Sequence, residues 1–172
     1  MMKQFAAFVG VAALALSAPA LAQAPNDAQI AHIAYTAGQI DVAAGRQALQ
    51  RSHNAQVRAF AQTMVRDHAA VNRQAVALVT RLHVTPAANP TSIALSSAAA
   101  ATLHRLGTLS GAAFDRAYVE NEVAYHRTVN GALRDTLIPS AQNAELKSLL
   151  QSGLALFTEH QTHAEHLASQ LR

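Results

Sequence analysis

The stretch Val57-Arg-Ala-Phe60-Ala-Gln-Thr-Met64-Val-Arg-Asp67-His68-Ala-Ala-Val71-Asn72-Arg-Gln-Ala75-Val-Ala-Leu78-Val-Thr-Arg-Leu82 decides the fold. Its apolar residues Val57, Phe60, Ala61, Met64, Val71, Ala75, Leu78 and Leu82 recur at three- and four-residue steps, never with the alternation of a half-buried strand. That spacing lays them along one stripe of an amphipathic helix. Ser52 or Asn54 supplies the N-cap, and the helix stops before Pro86. One member of the stripe is not apolar: His68 stands where the core should be.

The same period continues on both sides. A first long helix takes Asn26 as cap, carries Asp27 in its first turn, and aligns Ile30, Ile33, Ala37, Ile40, Ala44 and Ala48 before ending near Arg51. A third runs from about Ala112 to Leu137, with Phe114, Tyr118, Glu122, His126, Val129 and Leu133 in register, and Pro139 is expected to close it. A fourth runs from about Gln142 to Leu171 through Leu146, Leu149, Leu150, Gly153, Leu156, Phe157, His160, Ala164 and Leu167. The second and third are joined by His83 to Gly111, which holds Pro86, Asn89-Pro90, a short helix from Ser92 to Leu106 and a break from Gly107 to Gly111. This is a long connector, not a hairpin turn. Four amphipathic helices joined this way imply an all-α, antiparallel four-helix bundle with a crossover between the second and third helices. Forty alanines among the 172 residues suit close helix packing and favour helix intrinsically.

Composition removes several function classes. There is no cysteine, so a disulfide framework, a thiolate metal site and a thiol nucleophile are all absent. Thirteen Lys and Arg against ten Asp and Glu give a formal charge of +3, spread thinly, which argues against a nucleic-acid groove. No G-x-S-x-G elbow, glycine-rich phosphate loop or haem motif occurs, so neither a nucleotide nor haem is expected. At the N-terminus, Lys3 precedes the apolar run Phe5 to Leu16, followed by Ser17, Pro19 and Ala20-Leu21-Ala22. Residues 1–22 read as a secretory signal peptide cleaved after Ala22, since the run is short of the roughly 20 residues a spanning helix needs. Residues 23–172 then form the bundle domain, periplasmic or secreted, without a membrane anchor after cleavage.

Polar residues inside the stripes carry the information. His68, Glu122, His126 and His160 fall on core-facing seams, and Asp41 sits beside Ile40 on the inner flank of the first helix. Burying a carboxylate or imidazole without a partner costs several kcal/mol, so these groups must pair or bind something. Val65-Arg-Asp-His68-Ala-Ala-Val71-Asn72 and Val123-Ala-Tyr-His126-Arg-Thr-Val129-Asn130 share V-x-x-H-x-x-V-N, and Asp67-His68 is matched by Glu159-His160. If the connector returns the chain to the end it left, the third helix runs parallel to the second and the fourth parallel to the first. A rise of about 1.5 Å per residue then brings all five groups within about two turns of one height.

These residues resemble the ferritin-like bundles, and more narrowly the exported bacterial proteins grouped as domain of unknown function 4142. The resemblance rests on Val57-Arg-Ala-Phe60-Ala-Gln-Thr-Met64-Val-Arg-Asp67-His68, on Phe114-Asp115-Arg-Ala-Tyr118-Val, on His126 and on His160, and it covers nearly the whole chain after the signal. It implies a ferritin-like fold and an envelope location, with no established activity. The chain departs from the family pattern in having Asp41 where the first helix carries a glutamate, and Tyr125-His126 where the third carries an Asp-His pair. The Glu-x-x-His motifs of di-iron carboxylate bundles are absent; Glu122 and His126 are four apart, as are Glu159 and His163. A standard oxygen-activating di-iron centre is therefore not expected.

Two functions of different classes follow. The first is a transition-metal site, with iron, zinc or copper held by His68, His126 and His160 and by the carboxylates of Asp41 and Glu122, serving metal handling or envelope stress protection. The second is a non-catalytic structural or interaction protein whose buried His-acid pairs set helix register without metal. If the chain is an enzyme, a metal-dependent oxidase is the class its residues allow, with no catalytic residue identifiable beyond the ligands. Asp67 and Glu159 point about 100° from their neighbouring histidines and read as surface groups or supports to a ligand. His163 is a peripheral ligand candidate and His166 a solvated group. Tyr35, Tyr118 and Tyr125 read as packing residues with satisfied hydroxyls, and His32, His53, His83 and His104 as exposed. The arginines and lysine at 46, 58, 73, 81, 116 and 147 read as a solvated face. Ala-rich outer faces leave homo-oligomerisation open.

Overall fold

The structure, a computed structural model, describes residues 24–171; the segment read as a signal peptide lies outside these. Helix α1 spans Asp27–Arg51, α2 Ala55–Arg81, α3 Pro90–Gly107 and α4 Gly111–Ala132. A π turn over Leu133–Leu137 and a final turn α5, Ile138–Ser140, prolong α4, and α6 covers Ala144–Gln170. No strand occurs among the described residues, and no helix among them is long and apolar enough to cross a membrane.

Asparagine starts four of these helices. Asn26 and Asn89 form capping boxes with Gln29 and Ser92, while Asn54 and Asn143 each accept two backbone N–H groups of the next turn. Each such cap satisfies orphan amides at the helix start and contributes about 1 kcal/mol. Arg58, expected on a solvated face, instead donates to the carbonyls of Leu49 and Ser52 and closes the C-terminal end of α1. Gly111 opens α4 with φ +55°, a left-handed conformation that favours glycine.

Contacts between helix ends fix the topology. The Asp27 carboxylate accepts from the backbone N–H groups of Gln142 and Asn143, so α1 and α6 start at one end. Arg81 pairs with Glu145 at 2.7 Å, setting the end of α2 beside the start of α6. At the opposite end Arg51 donates to Leu109, just before α4, and Gln56 donates to Gln170. Helices α1 and α2 form one antiparallel hairpin, α4 and α6 another, and the pairs α1–α4 and α2–α6 close the bundle. Helix α3 lies along α1, tied by Asn89 to Gln29 and by Gln47 to Leu103, and carries the chain back up the bundle. This is the return the connector length predicts.

Pro139 does not close the third long helix as expected. The backbone shifts to the wider π spacing, with Ile138 N–H donating to Leu133, and the chain stays helical to Ser140. A π turn changes which amides need a carbonyl partner, so the missing N–H of proline is tolerated. Ile40 is only half-buried and Asp41 takes the core position beside it.

The apolar core is in two parts. Phe60, Met64, Leu106, Phe114, Tyr118 and Ala164 fill the end where α1 finishes. Ile30, Ile33, Leu78, Leu133, Leu150 and Phe157 fill the other. Between them lies a layer of ionisable side chains.

Candidate metal centre

Each long helix contributes to that layer near its midpoint: Asp41 from α1, His68 from α2, Glu122 and His126 one turn apart on α4, and His160 from α6. Antiparallel helices of similar length bring their midpoints to one height, which is why five residues so far apart in sequence meet. All five are between 1% and 4% exposed. One imidazole nitrogen from each of His68, His126 and His160 lies within 4.8 Å of the other two. Oxygens of Asp41 and Glu122 form a second such group with His126. The three rings are nearly equidistant, with centroids 5.3, 5.5 and 5.6 Å apart.

Two of the rings are held from outside. His160 Nε2 lies 3.0 Å from Asp67 Oδ2, and Asp67 is itself gripped by Arg66 at 2.7 and 3.0 Å. His126 Nδ1 lies 3.0 Å from the backbone carbonyl of Glu122, which fixes its orientation along α4. In each ring the other nitrogen, His160 Nδ1 or His126 Nε2, is buried without a hydrogen-bond partner. His68 has neither nitrogen satisfied, and both oxygens of Asp41 and Oε2 of Glu122 are also unpartnered. His68 Nε2 comes within 3.2 Å of Asp41 Oδ2 and His126 Nε2 within 3.5 Å, but neither approach has hydrogen-bond geometry. Buried polar atoms normally find partners, so the concentration of unpartnered ones in this layer singles it out as the candidate site.

Burial dominates the electrostatics. It pushes His68 down to about 3, with the neighbouring His160 acting in the same direction. It lowers His126 as well, against the opposing pull of Asp41. Burial raises Asp41 and raises Glu122 well above the usual carboxylate range, the latter further because the Asp41 carboxylate lies against it. Neutral imidazoles are the form that ligates a metal, and a pair of acids that resist ionisation together is what a cation would relieve. Outside the layer Asp67 is held low, first by its hydrogen bond from Arg66.

The surroundings are apolar on one side and tightly packed on another. The Phe157 ring stacks on His68 at 4.4 Å with 8° between planes. Tyr125 donates to the carbonyl of Ala37 as a packing residue should, whereas the buried hydroxyl of Tyr118 has no partner, contrary to expectation. The two asparagines of the repeated motif are both buried. Asn130 donates to Phe157 and Gln161, and Asn72 packs against Gly38 so closely that a Cβ there would lie 2.3 Å from its Oδ1.

All five sequence-derived candidates are therefore brought together. Asp67 supports His160 from the rim, and Glu159 is exposed. His163 packs edge-on against Phe60, 5.0 Å between centroids, and His166 pairs with Gln170, so neither extends the cluster. His53, His83 and His104 are exposed, while His32 is half-buried with Nδ1 3.4 Å from Thr36 Oγ1.

Comparison with known proteins agrees with this architecture. The profile of the family described as "Domain of unknown function (DUF4142)" matches residues 12–167. A solved structure from Streptomyces coelicolor, described as "putative secreted protein DUF305", superposes with a TM-score of 0.70. The match covers 84% of this chain and 93% of that one at 14% identity, and at that identity the likeness concerns the fold alone. No curated protein matches the chain.

Proposed function

The chain belongs to the family described as domain of unknown function DUF4142, and from that premise we propose that it is an exported helical bundle that binds a transition metal through His68, His126 and His160, with Asp41 and Glu122 completing the site. The observation that carries this reading is the pairing pattern of the rings. His160 and His126 each spend one nitrogen on an outer oxygen, the Asp67 carboxylate or the Glu122 carbonyl, and leave the other buried and free. Metal-ligating histidines are held in this way, because the outer hydrogen bond selects the tautomer and aims the ring. Imidazoles with carboxylates suit iron, zinc or copper. His126 belongs to both groups of donors, so the layer suits one ion or a close pair. Bundles with one long crossover are also the arrangement that ferritin-like metal proteins use. The signal peptide read in residues 1–22 supports an envelope setting for the proposed role, metal handling or protection against stress.

Elemental analysis after metal-replete purification tests the reading. The wild-type protein should retain metal in stoichiometric amount, and a His68→Ala/His160→Ala variant should lose it; equal content in both rejects the site. The approach of Asp41 to His68 and His126 favours one second reading, an ion-paired layer that only sets helix register. That reading predicts a melting temperature indifferent to chelator, whereas binding to the folded state alone must raise it.

A further inference from the structure

Beside the ionisable layer, on the side of Phe157, the bundle encloses a cavity of about 620 Å³. Its walls come from α1, α2, α4, α6 and the start of α3, and none of the residues that form them is ionisable. Leu133 and Leu137 of the π turn belong to the wall, and π turns occur often where a helix serves a site. Thr91, Thr128, Ala132 and Thr136 are exposed and form the rim, so the space reaches the surface between α3 and the end of α4. One polar side chain of the wall stands out, that of Asn72, which packs against Gly38 and also lines a second pocket between α1 and α2. Asn72 is 5% exposed, and its Nδ2 donor has no hydrogen-bond partner.

We infer that this cavity is a binding site for a neutral, elongated lipophile that carries one hydrogen-bond-accepting oxygen, received by Asn72 Nδ2. The volume lies in the range of small-molecule sites, which are mostly apolar with a few placed polar groups. An apolar space of this size does not hold ordered water well, because water needs two or more polar partners. A carboxylate or ammonium head drawn inside would have no countercharge, since the walls offer none, so a charged amphiphile must leave its head at the rim while a neutral one can enter whole. An acceptor oxygen, by contrast, satisfies a donor that is otherwise buried and orphaned. The proposal does not rest on the metal reading, because none of the five proposed metal-binding residues belongs to the wall.

The test uses the purified protein in metal-free buffer with the neutral dye 1-N-phenylnaphthylamine as a fluorescent reporter. 2-Undecanone should displace the dye about tenfold more effectively than n-undecane, the effect of one hydrogen bond of about 1.4 kcal/mol. It should also outcompete decanoate at pH 8. Asn72→Leu should erase the preference for the ketone over the alkane while the dye still binds. Ala34→Leu and Ala75→Leu, two separate substitutions that fill the space from α1 and α2 with apolar volume, should each weaken dye binding at least tenfold while leaving the helical circular dichroism intact. Dye binding unaffected by both filled variants, decanoate binding as tightly as the ketone, or an unchanged ketone preference in Asn72→Leu overturns the proposal.

Discussion

Asp67 shows what a helical wheel leaves open about a single side chain. Its position, about 100° from His68, looks peripheral when α2 is considered alone. Because α6 packs beside α2, that flank faces His160, and the Asp67 carboxylate reaches its Nε2 at 3.0 Å. His68, Glu122, His126 and His160 were legible because each interrupts an apolar stripe with an ionisable group, whereas Asp41 was legible only as the acid beside Ile40 on the inner flank of α1. The outer support was legible only as an alternative, since a wheel does not say which helix stands next to which. If the support matters, Asp67→Ala should weaken metal binding by about 10–100-fold. Competition titration against a chromophoric chelator measures this, and an unaltered affinity would remove Asp67 from the account. Asp67→Asn, which keeps an acceptor oxygen, should recover part of the loss.

Among the elements, Asn89 and Asn143 were not singled out as the caps of α3 and α6, but the starts of α1 and α2 were readable from asparagines: Asn26 precedes α1, and Asn54, an alternative to Ser52, precedes α2. Two features were not. The π turn before Pro139 leaves no mark in the apolar periodicity, since it alters hydrogen bonding and not residue type. The close approach of α1 and α2 depends on Gly38 and Gly45, seven residues apart, which read as weak points in a helix until the neighbouring chain is in place. A Cβ at Gly38 would overlap Asn72, and one at Gly45 would lie 2.8 Å from Val65 Cγ2 and 3.1 Å from the carbonyl of Ala61. Gly38→Ala is therefore expected to destabilise the protein by about 1–3 kcal/mol, the usual cost of overpacking, although alanine is the better helix former. Urea denaturation measures it; a variant as stable as wild type would show that the Asn72 amide turns aside at no cost.

For the molecule as a whole, the connector length was the decisive clue, because a long crossover lets α2 and α4 run parallel and brings the five midpoints to one level. The cavity beside them was not foreseeable: its walls are the same Ala, Val and Leu positions that the periodicity assigns to a filled core, and a sequence pattern does not report volume. The ionisable layer also sets a pH dependence for the metal-free protein. His68 is ordinary in the unfolded chain, near 6.5, and is pushed down to about 3 in the fold. The unfolded state thus binds more protons between these values, and the contribution of His68 to stability, present above pH 6.5, is lost as the pH falls through the window. Glu122 acts oppositely, its raised value meaning that stability present at low pH is lost as the pH rises toward its folded value. In chelated protein, His68→Leu should flatten the acid limb of the stability curve by up to about 1.4 kcal/mol per pH unit between pH 6.5 and 4. Superimposable curves would place His68 in solvent. The most direct measurement of the central claim is diffraction from metal-loaded crystals at the iron, copper and zinc absorption edges. The account predicts an anomalous peak within ligating distance of nitrogens of His68, His126 and His160. A fully loaded sample whose peak lies elsewhere, or a sample that takes up no metal, would contradict it.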